Sequence, residues 1–391
     1  MTDRSSLIAL CSATIAISMS TTMLMLYVPL LGLAYGLGPG GVGVVVSSAF
    51  LLPLMMAVPT GRLVDTIGAR RVVVIGYVVF GLAMMPVMVF DSLVALVAAN
   101  VLATIGHLAS VVGSQSLVAD LGSGRGRTSA YGWWTTSVSF GQLVGPVIAG
   151  VALDVLPRSA TFTPLVAFVI VALVLIRRVP ATLPRSATHT AALPMRSSPL
   201  SVLRDPIVGM AILTSSAALW AMTVFSTFFP VHLTEASVSA TTIGALMSLR
   251  ALAAVLVRSV MTQTVDRLGG RGPTVVVAVT ALGVGLLTIA WTSTLWAYAL
   301  VCVVLGAASG LTQPVSMVMV ADRVDDRERG TVLGVRLMGN RFAQLLAPVA
   351  LVFLASIGLT WLFAAHGALV LGVAVLLGVG LRSPMVRPRS S

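Results

Sequence analysis

Few residues in this 391-residue chain are equipped to do chemistry: it holds 12 Asp and Glu, 4 His and 2 Cys. Those that stand out are charges set within apolar sequence. Arg250 and Arg341 each lie well inside a long apolar run, and Arg336 lies nearer the start of the run that holds Arg341. A guanidinium at the centre of a membrane span costs about 2.5–3.5 kcal/mol, so it faces a wet cavity or a partner. No carboxylate accompanies them at depth, since Asp91, Asp154 and Glu235 fall near the ends of apolar runs and the others in or beside polar loops. Arg250 and Arg341 could therefore attract an acidic group on a bound molecule, or hold backbone carbonyls and shape a gate. Arg336 could also snorkel to the surface. His107 is the leading candidate to load and release a proton near neutrality, with a neutral ring satisfied by a neighbouring hydroxyl as the competing reading. Asp154 is the second candidate, although its place also suits a helix cap.

A charged hairpin occurs twice. Gly61-Arg62-Leu63-Val64-Asp65-Thr66-Ile67-Gly68-Ala69-Arg70-Arg71 and Thr262-Gln263-Thr264-Val265-Asp266-Arg267-Leu268-Gly269-Gly270-Arg271 each sit between apolar runs. The step is 201 residues from Asp65 to Asp266, from Arg70 to Arg271 and from Pro29 to Pro230. It is 202 from Ala119-Asp120 to Ala321-Asp322, from Arg127 to Arg329, from Gly132 to Gly334 and from Pro146 to Pro348. A near-constant offset of this kind implies two copies of one bundle, an arrangement common in transporters.

The elements that carry these residues follow from composition. The chain is 57% hydrophobic and 9% charged, with mean hydropathy +1.03, whereas a soluble domain is roughly 25% charged. Runs of about 20 apolar residues span a bilayer as helices. Twelve are expected, at 7–31, 41–60, 71–90, 93–119, 129–153, 161–178, 207–233, 241–261, 273–292, 294–320, 331–355 and 360–381. The fold class is thus an all-α integral membrane protein with two six-helix bundles, 1–180 and 205–381, a linker at 181–204 and a tail at 382–391. All 24 basic residues are Arg. With the N-terminus inside, all but Arg158, Arg250, Arg336 and Arg341 fall on the cytoplasmic side, the positive-inside rule in strong form. Both termini are expected to be cytoplasmic, with the first span retained as an anchor. The net charge of +12 reflects topology; Arg scattered over short loops excludes a nucleic-acid surface. The Arg-rich linker suits an anionic leaflet, and Cys11 and Cys302 read as small buried hydrophobes.

At this point the motifs resemble those of the major facilitator superfamily, over nearly the whole chain. The first hairpin matches its signature Gly-x-Leu-x-Asp-x-x-Gly-x-Arg-Arg at Gly61, Leu63, Asp65, Gly68, Arg70 and Arg71. Thr66 replaces the usual Arg, which the second copy keeps as Arg267, and Thr262 replaces the leading Gly. Gly141-Gln142-Leu143-Val144-Gly145-Pro146-Val147-Ile148-Ala149-Gly150 resembles the fifth-span signature of the superfamily's antiporters, with Ala149 as its one departure. An Arg usual in the fourth span of proton-coupled members is Asn100 here, and Thr104 stands at the first accompanying Gly, which puts the coupling mechanism in doubt.

The resemblance implies roles. Asp65 would cap the eleventh span and lock the cytoplasmic side; Arg70 would pair with Asp120. Asp266 would face the fifth span, with Arg271 near Asp322. Gly141, Gly145, Pro146 and Gly150 would seal the outer side against leak. Tyr27, Gln142, Trp220, Gln313, Asn340 and Gln344 would join Arg250 and Arg341 about a central cavity, with Met23, His107, Trp134 and Phe225 as further lining candidates. Two halves would rock by alternating access to export a small organic molecule from a bacterial cytoplasmic membrane. Protons are the expected coupling ion, and the expected state is a monomer. The alternatives are a facilitator or importer of small, even anionic, metabolites, or a membrane sensor without flux. No enzymatic activity, cofactor or metal site is expected, because no phosphate-binding Gly-rich loop or metal-ligand spacing occurs.

Overall fold

The computed structural model describes residues 4–121, 125–180, 205–321 and 329–382, and every regular element among them is helical. Contacts divide them into two compact units. The first holds the described residues up to Pro180 together with Pro230–Ser248; the second holds those up to Phe229 and from Leu249 onward. The expected linker and the tail after Arg382 lie outside the described residues.

In the first unit α1 (Arg4–Ala34), α2 (Pro39–Ile67), α3 (Ala69–Ala83), α4 (Met85–Phe90), α5 (Leu93–Leu121), α6 (Arg125–Val155) and α7 (Thr163–Ile176) follow one another. α1 packs along α6 and α7, and α5 packs along α2 and α3. The second unit is built from α8 (Pro206–Glu235), α9 (Ala240–Ser259), α10 (Met261–Arg267), α11 (Arg271–Trp291), α12 (Leu295–Ala321), α13 (Arg329–Leu346) and α14 (Leu359–Arg382). α8 and α9 each pass from one unit into the other. α11 packs along α12 and α14.

Starts and stops have local causes. Asp205 caps α8 by accepting the N–H groups of Ile207 (2.8 Å) and Val208 (3.3 Å), with Pro206 supplying the fixed φ of a first helical residue. Pro86 splits the expected third span into α3 and α4, because its ring cannot donate to the helix ladder.

Eleven helical segments among the described residues are long and apolar enough to cross a membrane, one fewer than the expected count. The expected run 331–355 is instead α13, then turns around Ala347-Pro348, then a 3-10 turn at Val352–Ser356. Two features explain the break. Pro348 removes a donor from the helix ladder, and Leu351 takes a left-handed conformation at φ 59°, which a branched side chain rarely adopts.

The internal repeat is written in the backbone as well as in the side chains. Gly36 and Ser237, 201 residues apart, both have positive φ (84° and 58°). Each sits in the same turn: Gly36 N–H donates to Leu33 O and Leu37 N–H to Gly32 O, while Ser237 donates to Thr234 O and Val238 to Leu233 O. Gly68 (φ 92°) and Gly269 (φ 84°), again 201 apart, reverse the chain in the two charged hairpins. Only glycine enters that region without strain.

The surface is apolar, as a lipid-facing protein requires. Leu51, Met55, Val58, Leu82, Phe90, Val94, Leu300 and Val375 are all exposed. Trp291, Trp296 and Trp361 are exposed near helix ends, where an amphipathic ring suits the headgroup level. Near the Arg-poor end, Arg158 reaches Asp91 at 3.8 Å and lies over the Tyr35 ring, whose hydroxyl donates to Asp91. Burial first, and then the Asp91 carboxylate, push the Tyr35 hydroxyl up to about 12, so it stays a donor.

Candidate functional site

In the second unit three helices contribute to one polar array. α12 presents Gln313 and Ser316 one turn apart on one face, and α13 presents Arg336 and Asn340 one turn apart on one face. Arg336 Nη2 donates to Gln313 Oε1 (2.9 Å), to Ser316 Oγ (3.0 Å) and to the Gln313 carbonyl (3.2 Å). Gln313 Nε2 in turn donates to the Ser215 carbonyl of α8 at 3.0 Å, and Ser215 Oγ donates to Asn340 Oδ1 at 2.8 Å. Ser215, Ser316 and Asn340 are buried, whereas Gln313 and Arg336 are only partly so. The array borders an apolar cluster of Val208, Ala211, Val315, Met319 and Val332. Among the described residues the acceptors on Arg336 are neutral, and its Nε is buried without a hydrogen bond.

The other candidates of this unit lie apart from it. Arg341 Nη1 donates to Gln344 Oε1 (3.1 Å), a pair along α13 itself. Arg250 lies over the Phe225 ring at 5.8 Å, its Nη1 3.6 Å from Met222 Sδ and its Nε buried without a bond. Among the described residues no Asp or Glu pairs with Arg250, Arg336 or Arg341. Trp220, expected in the cavity, donates its indole N–H to His366 Nδ1 at 3.0 Å. That bond joins α8 to α14 inside the bundle, where His366 is fully buried.

In the first unit His107 of α5 meets Thr21 of α1, Nδ1 to Oγ1 at 3.1 Å. Thr21 Oγ1 also donates to the Ile17 carbonyl (2.9 Å), and which atom of the His107–Thr21 pair donates depends on the tautomer of the ring. Asn100 is buried and donates to the Val45 carbonyl of α2 at 2.9 Å. Tyr27 is fully buried and its hydroxyl donates to the Thr161 carbonyl at 2.9 Å, which places it in the packing of the bundle, not on a cavity wall. Gln142 is exposed on α6.

α6 uses two faces of one motif. A Cβ on Gly141 would come within 2.4 Å of Ser18 Cβ, and one on Gly145 within 2.0 Å of Thr22 Oγ1 and 2.8 Å of the Met19 carbonyl. The missing side chains let α1 and α6 meet backbone to backbone, and Thr22 donates to the Gly141 carbonyl across the seam (3.1 Å). The other face meets the start of α9. A Cβ on Gly150 would lie 2.2 Å from the Ala240 carbonyl, and one on Gly244 would lie 2.1 Å from that of Pro146. Asp154 completes this face by accepting the N–H groups of Ala240 (3.1 Å) and Thr241 (2.8 Å), a cap on the α9 N-terminus.

The sequence matches the family model of the major facilitator superfamily over residues 10–236 and 211–391. The chain belongs to the major facilitator superfamily. Comparison with curated proteins finds no match. Among solved structures it is similar to a bacterial homologue of the human lysosomal transporter Spinster, in an inward-facing and unoccupied conformation (14% identity, TM-score 0.75, 96% of each chain covered). It is also similar to a variant of the nucleoside transporter NupG (12%, 0.80, 96% of this chain and 100% of that one). A third is the human organic anion transporter MFSD10 (20%, 0.68, 96% and 99%).

The superfamily hairpins join α2 to α3 in the first unit and α10 to α11 in the second. Asp65 is partly buried at the end of α2, and Arg71 is exposed. Arg70 Nη2 donates to the Arg177 carbonyl at 3.1 Å, tying the start of α3 to the end of α7. Asp120, expected beside Arg70, is exposed at the end of α5. Asp266, Arg267 and Arg271 are exposed in the second hairpin. Asp322, and residues 322–328 before α13 where Asp65 was expected to act, lie outside the described residues. Sequence reasoning missed Thr21, Ser215 and Ser316 as partners. Hydroxyl residues are common in membrane helices, and only the facing helix distinguishes these three.

Proposed function

We propose that the chain is a secondary active exporter that exchanges a small organic molecule for protons across a bacterial cytoplasmic membrane. The observation that carries the reading is α6. Its Gly141-Gly145 face closes on α1, and its Pro146, Gly150 and Asp154 face closes on α9, with no room for a single added carbon at Gly145 or Gly150. A backbone-to-backbone seam at the Arg-poor end suits a barrier that must hold an ion gradient while the carrier turns over. With the termini cytoplasmic, that end is the outer one.

In this reading the halves, 1–180 and 205–381, rock about the substrate. Asp65, Arg70 and Asp120, with Asp266, Arg271 and Asp322 in the second copy, latch the cytoplasmic side when the cavity opens outward. His107 carries the proton. Its ring meets Thr21 across the α1–α5 contact, so proton uptake creates a cation between those helices that favours a different spacing of them. Asp154, bonded to two backbone N–H groups, serves better as a fixed anion than as a carrier.

The test is directional. Everted membrane vesicles containing the chain, energised by respiration, should accumulate a transported compound, and collapse of the pH gradient should release it. Accumulation confined to right-side-out vesicles would reverse the assigned direction. Uptake untouched by collapse of the gradient would reduce the protein to a facilitator.

A further inference from the structure

We propose that Arg336 is the anion anchor of this carrier: with Gln313 and Ser316 beside it, it receives a carboxylate-sized anionic group of the transported molecule. The inference rests on the transporter reading above and names a substrate class for it. Sequence depth alone pointed to Arg250 and Arg341; the side-chain geometry moves the site to Arg336.

Three observations carry it. A guanidinium within a membrane bundle needs compensation, and among the described residues Arg336 has a main-chain carbonyl, an amide oxygen and a hydroxyl, all gathered on Nη2. No described carboxylate balances its charge. These three acceptors compete for the two hydrogens of Nη2, so the bonds orient the group without neutralising it. Meanwhile Nε is buried without a hydrogen bond, so this guanidinium keeps an unanswered donor inside the bundle.

The surroundings favour capture over a purely structural role. Gln313 and Ser215 face each other through a bond to the main chain, and Ser215 fixes Asn340, so the wall behind Arg336 is already satisfied and rigid. Gln313 and Arg336 themselves remain partly accessible while their neighbours are buried. The apolar cluster of Val208, Val315, Met319 and Val332 lies beside the array, a dry flank along which an ionic interaction is less screened than in water. Arg341 already has its own acceptor in Gln344, and Arg250 lies over the Phe225 ring with Met222 Sδ 3.6 Å from its Nη1.

The test uses purified full-length protein in nanodiscs and matched probes: benzoate, phenylphosphate and sulfate against benzamide and benzylamine. Binding is read by intrinsic fluorescence and by thermal shift, neither of which depends on direction or proton coupling. At least one anion should bind saturably and more tightly than the neutral and cationic analogues. Arg336→Gln should weaken that anion roughly tenfold to a hundredfold, the range for losing a hydrogen bond to a charged group. Arg336→Lys should keep the preference for anions at lower affinity, and Gln313→Ala should weaken binding less than Arg336→Gln. Absence of any anion preference in the wild type, or full anion affinity in a folded Arg336→Gln, would overturn the assignment. If Arg336→Gln does not fold, loss of anion preference in Arg336→Lys would do the same. Anion binding that follows Arg336 in a protein without proton-linked flux would instead sink the exporter reading and leave the anchor standing.

Discussion

A charge inside an apolar bundle is tolerated only where something answers it, and the three inner Arg residues here are answered differently. Arg341 has an amide on its own helix, Arg250 an aromatic face and Arg336 a set of neutral acceptors, while the exposed Asp154 near the end of α6 accepts two backbone N–H groups. Asp154 gives the sharpest residue-scale prediction. Asp154→Asn keeps an acceptor for the α9 cap but cannot carry a proton, so proton-linked flux should stay within twofold of wild type. Asp154→Ala should cost about 0.5–2 kcal/mol, the usual loss for a cap, visible as a lower melting temperature. His107→Gln is the opposite case: proton-driven flux should fall at least tenfold while substrate exchange at equal pH persists. Loss of both, or of neither, would remove His107 from the coupling step. The depth of the Arg residues and the scarcity of carboxylates were legible in the sequence. The partners were not, because hydrogen bonds such as Ser215 to Asn340 join residues 125 apart, and linear spacing says nothing about which helices face one another.

At the scale of elements, α6 shows how far a motif can be read. Gly141, Gly145 and Pro146 announced close packing, and the structure supplies α1 as the neighbour for the glycines and α9 for the turns beyond. Gly145→Ala must push α1 away, since its Cβ would meet Met19 backbone at 2.8 Å as well as the Thr22 hydroxyl. Overpacking of this kind costs about 1–3 kcal/mol. The expected result is a lower melting temperature and a measurable proton leak in liposomes without substrate; a stable, tight Gly145→Ala would show that the seam is not the seal. In α13 the apolar run and the regular helix differ in length. The run 331–355 has the length of a span, yet Pro348 and left-handed Leu351 end the helix at Leu346. Composition measures apolar length, whereas continuity depends on single residues with the wrong backbone chemistry.

For the whole molecule, the 201-residue offset was the most informative signal, and it recurs in turns where the side chains differ. Gly36 and Ser237 share a left-handed turn although their types differ, so the repeat is one of backbone geometry and not only of charges. The Arg asymmetry makes a topological prediction. In a variant whose two native cysteines are replaced, a membrane-impermeant maleimide applied to whole cells should label Ser237→Cys and spare Arg71→Cys until the cells are opened. The reverse pattern would invert the molecule and with it the direction of export. The most direct measurement of all is proton movement by the purified protein in proteoliposomes, followed with an internal pH dye while substrate is offered. Proton flux that requires substrate, runs opposite to it and falls with His107→Gln is the predicted result. Substrate flux with no proton movement at any imposed pH gradient would contradict the account.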